Sequence, residues 1–265
     1  MDALLADPVM LAAALASGVL VAFVLGLVGG GGSILATPLL LYAVGVDGTH
    51  AAIGTGAVAV AVNASVGLTA HARAGTVKWP CALVFAAAGI AGAYGGSSLG
   101  KAIDGTVLIA AFGIAMVLIG VWMLRPRTTV DRPDVRLTRE TAGELVPRLV
   151  PFGFGAGAAA GFFGIGGGFL IAPGLMAATR MPMAAAIGTS LVAVLAFGAT
   201  TAANYAVSGF VNWPVAAALI VGGVAGGIAG ERASRALASR KHVLTRVFAA
   251  FVILVGIAIA AANLA

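Results

Sequence analysis

The sequence predicts an all-α polytopic membrane protein with two inverted-topology repeats of about five helical segments each, including Gly-rich broken or re-entrant helices. The first observation is composition: 61% of the 265 residues are hydrophobic and 9% are charged, whereas soluble domains carry roughly 25% charged residues. The second is that apolar runs recur with the length of ~20 residues that a membrane-spanning helix needs. The third is that the two halves of the chain match each other in register.

Ten apolar segments are predicted to be helical, and two of them, 33–46 and 167–179, are too short to span a bilayer comfortably. The long polar stretch 125–146 divides the chain nearly in half. It separates a first membrane repeat, 1–124, from a second, 147–265, and is predicted to be a cytoplasmic linker. The ten segments are 9–28, 33–46, 50–71, 79–100, 105–124, 147–163, 167–179, 183–206, 212–230 and 243–264.

The repeat is visible as an alignment of the chain with itself, with one residue of slippage. Internal repeats of this kind are typical of secondary transporters, in which inverted halves enclose the substrate site. At a shift of 135 residues, 26–33 aligns with 161–168 and Pro38 with Pro173; at a shift of 134, Gly54-Thr55 aligns with Gly188-Thr189 and 71–79 with 205–213.

Basic residues predict the orientation of the helices. If each Gly-rich pair of segments returns the chain to the side on which it began, and the linker is cytoplasmic, 14 of the 15 Lys and Arg residues are cytoplasmic and only Lys101 is outside. If 147–179 were one broken span, the ratio would fall to 8 against 7. Because cytoplasmic loops carry the excess of Lys and Arg, the first arrangement is favoured. It makes the repeats inverted and places both termini outside.

The glycine clusters are the most specific local signal for a binding site. Each cluster interrupts an apolar stretch and precedes a short helix, whose first N–H groups lack intrahelical partners and lie at the positive end of the helix dipole. Such a terminus binds an anion without a buried Lys or Arg. The alternative is that the glycines only allow close helix packing. It is disfavoured because the glycines in each cluster are adjacent and the cluster recurs at the aligned position of the other repeat. The candidates are Gly29, Gly30, Gly31, Gly32, Ser33, Gly164, Gly166, Gly167, Gly168 and Phe169.

Polar side chains within the apolar segments are further candidates, because hydroxyls and amides can donate hydrogen bonds to substrate oxygens. The alternative is a structural hydrogen bond, either between helices or to the residue's own helix backbone. His71 is a candidate for proton coupling or an interfacial anchor beside Arg73. The side-chain candidates for substrate binding are Thr55, Asn63, Thr189, Ser190 and Asn204.

Absences narrow the function further. No acidic residue falls in the middle of an apolar segment, and Cys81 is the single cysteine. No carboxylate cage, cysteine-based metal site or catalytic constellation is therefore predicted. We expect no enzyme activity, no metal and no cofactor. The net charge of +6 reflects cytoplasmic loops rather than nucleic-acid binding.

The sequence resembles the sulfite exporter TauE/SafE family over essentially the whole chain. The motifs that carry the resemblance are Gly26 to Gly32 with Pro38, Gly161 to Gly168 with Pro173, and the paired Gly-Thr positions. The resemblance implies a cell-membrane transporter that exports sulfite or a small organosulfonate such as sulfoacetate. One departure is that Gly56 stands where the second repeat has Ser190.

The residues themselves leave alternatives open: a passive anion channel of the same fold, a carrier of a non-sulfur anion, or a membrane scaffold without transport. The coupling ion, a proton or sodium, is also open, as are uniport and the oligomeric state.

Overall fold

A computed structural model describes residues 7–28, 31–124, 132, 134–164, 168–236 and 241–264. These residues form ten helical segments, numbered α1 to α10 in chain order. Helices that are equivalent in the two predicted repeats have numbers that differ by five, such as α1 and α6. Their bounds are α1 Pro8–Val28, α2 31–44, α3 Thr49–Arg73, α4 Trp79–Lys101, α5 Gly105–Leu124, α6 Ala142–Phe163, α7 Gly168–Thr179, α8 Met183–Val207, α9 Trp213–Ala236 and α10 Lys241–Leu264.

Eight of the described helices are long and apolar enough to cross a membrane, and α2 and α7 are the two shorter apolar helices. The helices also present large apolar side chains outward: Leu118, Val221 and Leu254 are each about two-thirds exposed. Surfaces of this kind are stable against lipid, not water. The chain is therefore a multi-pass membrane protein, as the composition predicts.

The first helix of each half packs on the fourth helix of the other half. Helix α1 lies against α9 and α6 lies against α4, and these are the two most extensive helix contacts. In each pair the chains run parallel, as shown by Gly18 contacting Leu219 while Gly230 contacts Phe23. Glycines at these contacts let the backbones approach closely, which is how membrane helices associate.

Equivalent helices of the two halves run antiparallel where they touch. In the α3–α8 pair, Gly198 lies beside Ala61 and Gly67 beside Leu191. In the α5–α10 pair, Gly113 lies beside Ala260, whereas Gly120, further along α5, lies beside the earlier residues of α10. Antiparallel equivalents are the arrangement that inverted repeats require.

The short helices return the chain to the face from which it came. Helix α3 runs parallel to α9, and hence to α1, because Thr55 contacts Asn212 and Asn63 contacts Gly223. The start of α1, the end of α2 and the start of α3 also share one buried apolar cluster. The first Gly-rich pair therefore makes an even number of passes, which is the arrangement that the charge pattern favours.

The two faces of the bundle differ in charge. The linker face carries the described linker residues and the starts of α4, α6 and α8; the backbone N–H of Arg132 donates to the Arg180 carbonyl there, at 2.7 Å. The distal face carries the starts of α1, α3, α5 and α9. Among the described residues, Lys101 is the basic side chain on the distal face. Those on the linker face are Arg73, Lys78, Arg132, Arg136, Arg139, Arg148, Arg180, Arg232 and Arg246.

Candidate functional site

The glycine-rich turn of the second half begins where α6 ends. Gly164 has a left-handed backbone, φ 66°, and its N–H donates to the carbonyls of Ala160 and Gly161. A Cβ at Gly164 would collide with the Ile53 side chain of α3. Both the backbone angle and the contact therefore require glycine. Helix α7 then starts at Gly168, one residue after the start of the predicted segment 167–179. The side chain of Phe169 is not described, and Gly166 and Gly167 lie outside the described residues.

The glycine-rich turn of the first half leads into α2. Gly29 and Gly30 lie outside the described residues, and the helix begins at Gly31 rather than at the predicted Ser33. Gly32 rests on the α1 backbone at Val21 and Leu25, and Ser33 is fully buried.

Helix α2 is irregular along its length. It passes from a 3₁₀ turn, Gly31–Leu35, through one α-helical turn, Ala36–Pro38, to a π-helical stretch, Leu39–Val44. Single-turn π segments within helices are frequent at functional sites.

The two short helices contact each other between the halves. Helix α7 packs on the first turn of α2, Gly31–Leu35, and both helices pack with α3 and α8 around a core that includes Ile34, Val60 and Ile171. Gly164 lies toward the distal face, beside the second turn of α3. Gly32 lies toward the linker face, beside the later turns of α1. The structure thus brings both predicted glycine elements to the interface between the repeats, at different depths.

Thr55 and Thr189 form a matched pair of hydrogen bonds between the halves. The backbone N–H of Asn212, just before α9, donates to Thr55 Oγ1 at 2.9 Å. The backbone N–H of Lys78, just before α4, donates to Thr189 Oγ1 at 3.0 Å. Both threonines are fully buried. These two bonds, the distal clasp at Thr55 and the linker clasp at Thr189, give the matched threonines a structural role that joins the repeats.

The other side-chain candidates fall into different environments. Ser190 donates to the Ile187 carbonyl of its own helix, at 2.8 Å, which is the structural alternative. Asn63 is 6% exposed, lies against Gly223, and its Oδ1 has no hydrogen-bond partner among the described residues. A buried amide oxygen without a partner is costly, but that oxygen is an acceptor, so only the amide nitrogen of Asn63 is suited to donate to an oxyanion.

Asn204 is the centre of a polar network on the distal face that sequence reasoning did not find. Its amide nitrogen donates to Ser97 Oγ at 2.6 Å and Ser98 Oγ at 3.0 Å. Lys101 Nζ donates to the Asn204 side-chain oxygen at 2.7 Å and to Ser208 Oγ at 2.8 Å. The network joins α4 to α8, and Lys101, read from the sequence only as a topological marker, is part of it.

His71 lies on the linker face and pairs with Thr76. Its Nδ1 is 3.0 Å from Thr76 Oγ1, and the Thr76 hydroxyl donates to the His71 carbonyl at 3.1 Å. The tautomer of the His71 ring decides which atom donates in the contact between Nδ1 and Thr76 Oγ1. A Cβ at Gly188 would collide with Thr76 and crowd His71, so His71 lies beside the linker clasp at Thr189.

On the distal face, Asp104 caps the start of α5. Its carboxylate accepts the N–H groups of Thr106 at 2.8 Å and Val107 at 3.4 Å. These bonds to the charged form hold the pKa of Asp104 below its usual value. The carboxylate is fully exposed, so its role is local capping.

A family model described as "Sulfite exporter TauE/SafE" matches residues 14–259. The chain belongs to this family. The sequence resemblance is thereby confirmed, and the TauE/SafE chain described here is a membrane transporter by family.

The curated relatives of this TauE/SafE chain carry the same general description. It is 52% identical over 241 residues to a "Probable membrane transporter protein" of Xylella fastidiosa strain Temecula1, with 91% of each chain covered. It is 28% identical over 235 residues to the "Probable membrane transporter protein YunE" of Bacillus subtilis strain 168, covering 82% of this chain and 86% of that protein. No solved structure matches the chain significantly.

Proposed function

We propose that this protein is a secondary transporter that exports sulfite or a small organosulfonate, such as sulfoacetate, by alternating access. The observation that carries the proposal is the contact between the two glycine-initiated short helices, α2 and α7, between the two antiparallel halves. The family description supports a sulfur oxyanion as the substrate.

The start of each short helix supplies the chemistry for an oxyanion. Its first backbone N–H groups have no partner within the helix and point toward the glycine turn. These N–H groups can bind a negative charge without a Lys or Arg side chain. A buried charged side chain would be costly in a membrane. The candidate ligands are the N–H groups of residues 31–33 and 166–169, with Asn63 as a side-chain donor. No cofactor, metal or catalytic group is needed for this role.

The two clasps provide a physical basis for alternating access. The distal clasp, Thr55 to Asn212, and the linker clasp, Thr189 to Lys78, lie at opposite ends of the same interface, and both are formed in this structure. Each bond joins one repeat to the other. Opening toward one face breaks the clasp at that face and keeps the other.

The basic linker face is assigned to the cytoplasm of a cell membrane, and the distal face with both termini to the outside. The charge difference between the faces supports this assignment. The proposal divides the chain into repeats at 1–124 and 147–265 with the linker 125–146 between them. The antiparallel α3–α8 and α5–α10 pairs support it, and α6 begins at Ala142, within the predicted linker.

Transport by purified protein in liposomes tests the proposal. We expect sulfite or sulfoacetate flux that saturates with substrate concentration, because a carrier binds its substrate in each cycle. Gly167→Leu is expected to abolish this flux, whereas Gly155→Leu, on α6 where a Cβ has no neighbour within 4 Å, is expected to retain it. Flux of another anion only, or flux that does not saturate, would contradict the proposed substrate or the carrier mechanism respectively.

A further inference from the structure

Two buried polar atoms on the distal side have no partner among the described residues. The hydroxyl of Tyr205, a residue with no exposed surface, makes no hydrogen bond, and neither does Nδ1 of His50. Their rings lie close together, with centroids 6.2 Å apart. A buried polar group without a partner destabilises the fold and calls for an explanation.

These atoms lie beside the glycine-rich turn of the second half. Tyr205 and Ile53 belong to one buried cluster with Phe162 and Phe163, the last residues of α6. Ile53 is the residue that Gly164 contacts. A Cβ on Gly100, in α4, would approach both the Phe162 carbonyl and the Tyr205 hydroxyl. The unpartnered hydroxyl therefore belongs to the same buried cluster as Ile53, the residue that Gly164 contacts.

Two charged groups lie near these atoms: the Lys101 ammonium, and the Asp104 carboxylate, which interacts electrostatically with His50. Lys101 Nζ lies 5.9 Å from the centre of the Tyr205 ring, and it donates hydrogen bonds to the uncharged oxygens of Asn204 and Ser208. Within the described residues its ammonium forms no salt bridge, since the ion pairs there are on the linker face. No carboxylate among the described residues is therefore in contact with the Lys101 ammonium.

Comparison of the two repeats shows that Tyr205 differs from its equivalent, His71, in its hydrogen bonding. Tyr205 is equivalent to His71, and the partner of His71 is Thr76. The residue equivalent to Thr76 is Phe210. Its ring is tilted against the rings of Tyr205 and His50, and it lacks the hydroxyl that Thr76 provides. The linker side therefore satisfies its polar group internally, while the distal side does not.

We propose that Tyr205 and His50 form the distal part of the anion site, where the Tyr205 hydroxyl and His50 Nδ1–H donate to the oxygens of a small oxyanion. The inference deepens the proposed function and rests on it. Two or more oxygens on one sulfur or carbon atom can accept from both donors, and Lys101 adds long-range attraction. The turn at 208–212, held on α3 by the distal clasp, covers the site.

Tyr205→Phe gives the sharpest test, because it keeps the ring and removes only the hydroxyl. Loss of a hydrogen bond to a charged ligand is expected to raise the KM for sulfite roughly tenfold or more. The same change removes an unpartnered buried group, so the melting temperature without ligand is expected to stay equal or rise. A purely structural tyrosine would not give this combination.

Matched variants complete the test. His50→Ala introduces alanine, which is the residue at position 184, the equivalent of position 50 in the second repeat. This variant is also expected to raise the KM. Tyr42→Phe, which removes a hydroxyl that accepts from Asn263 at 3.0 Å, is expected to leave the KM unchanged. A wild-type KM in both Tyr205→Phe and His50→Ala would overturn the inference, as would a rise in KM in Tyr42→Phe of the same size.

The failure of this inference is distinguishable from failure of the proposed function. If wild-type protein transports acetate, nitrate or phosphate but no sulfur oxyanion, the proposed substrate is wrong, and the same variants are compared with the transported anion. If wild-type protein transports none of these anions, both proposals are contradicted.

Discussion

At the scale of single residues, the most informative contacts are those that recur in both halves. Thr55 and Thr189 each accept a backbone N–H from the residue that precedes a helix of the opposite repeat. The sequence predicts that the two threonines are equivalent, but the alignment does not show what they contact. Their donors are more than 100 positions away, so only the folded arrangement reveals that they join the repeats.

We expect Thr55→Val and Thr189→Val each to destabilise the protein by about 1–3 kcal/mol. Valine has the shape of threonine but leaves the buried N–H of Asn212 or Lys78 without an acceptor. Thermal unfolding in detergent measures the effect. Thr200→Val is the control, because the Thr200 hydroxyl bonds to a carbonyl of its own helix, that of Ala196. Equal melting temperatures for the Thr55 and Thr200 variants would contradict the clasp.

At the scale of elements, apolar length and composition are sufficient to predict most helices. The predicted spans at 79–100, 105–124 and 183–206 differ from the structure by no more than one residue at either end. The prediction is accurate there because a span must satisfy its backbone internally over a fixed thickness. The 3₁₀ and π character of α2 is not predictable from composition, because it depends on how Gly31–Leu35 packs against α1 and α7.

The glycine turn after α6 provides a test at this scale. Gly164→Ala is expected to cost about 1–2 kcal/mol for its left-handed backbone, and more because its Cβ would collide with Ile53. Gly209→Ala shares the positive φ, 75°, but has open space around the new Cβ. Thermal unfolding of the two variants separates the backbone cost from the packing cost. A larger loss for Gly209→Ala would contradict the described packing of the turn.

At the scale of the whole molecule, the pattern of charges and the direction of the helices agree. The positive-inside argument requires each short helix to return the chain to its starting face, and the parallel directions of α1 and α3 show this return. The distal cluster of Lys101, Asn204 and Tyr205 was not predictable in the same way. Lys101 lies 103 positions before Asn204 and its neighbour Tyr205, and the contact of α4 with α8 brings them together.

Cysteine labelling on intact cells tests the orientation. The natural Cys81 is buried and is replaced by Ala. Asp47→Cys on the distal face is expected to react with a membrane-impermeant maleimide, whereas Arg139→Cys in the linker is expected to react only after the cells are lysed. Labelling of Arg139→Cys in intact cells, with Asp47→Cys protected, would reverse the assignment of both faces.

The central claim is that the glycine turns between the inverted halves bind a small sulfur oxyanion, and ligand-dependent thermal stability tests it most directly. A ligand that binds the folded state raises the melting temperature with its concentration. We expect sulfite or sulfoacetate to produce such a shift in purified wild-type protein and in Gly155→Leu, but not in Gly167→Leu. Absence of a shift with sulfite, sulfoacetate, thiosulfate and sulfate would contradict the claim, as would an undiminished shift in Gly167→Leu.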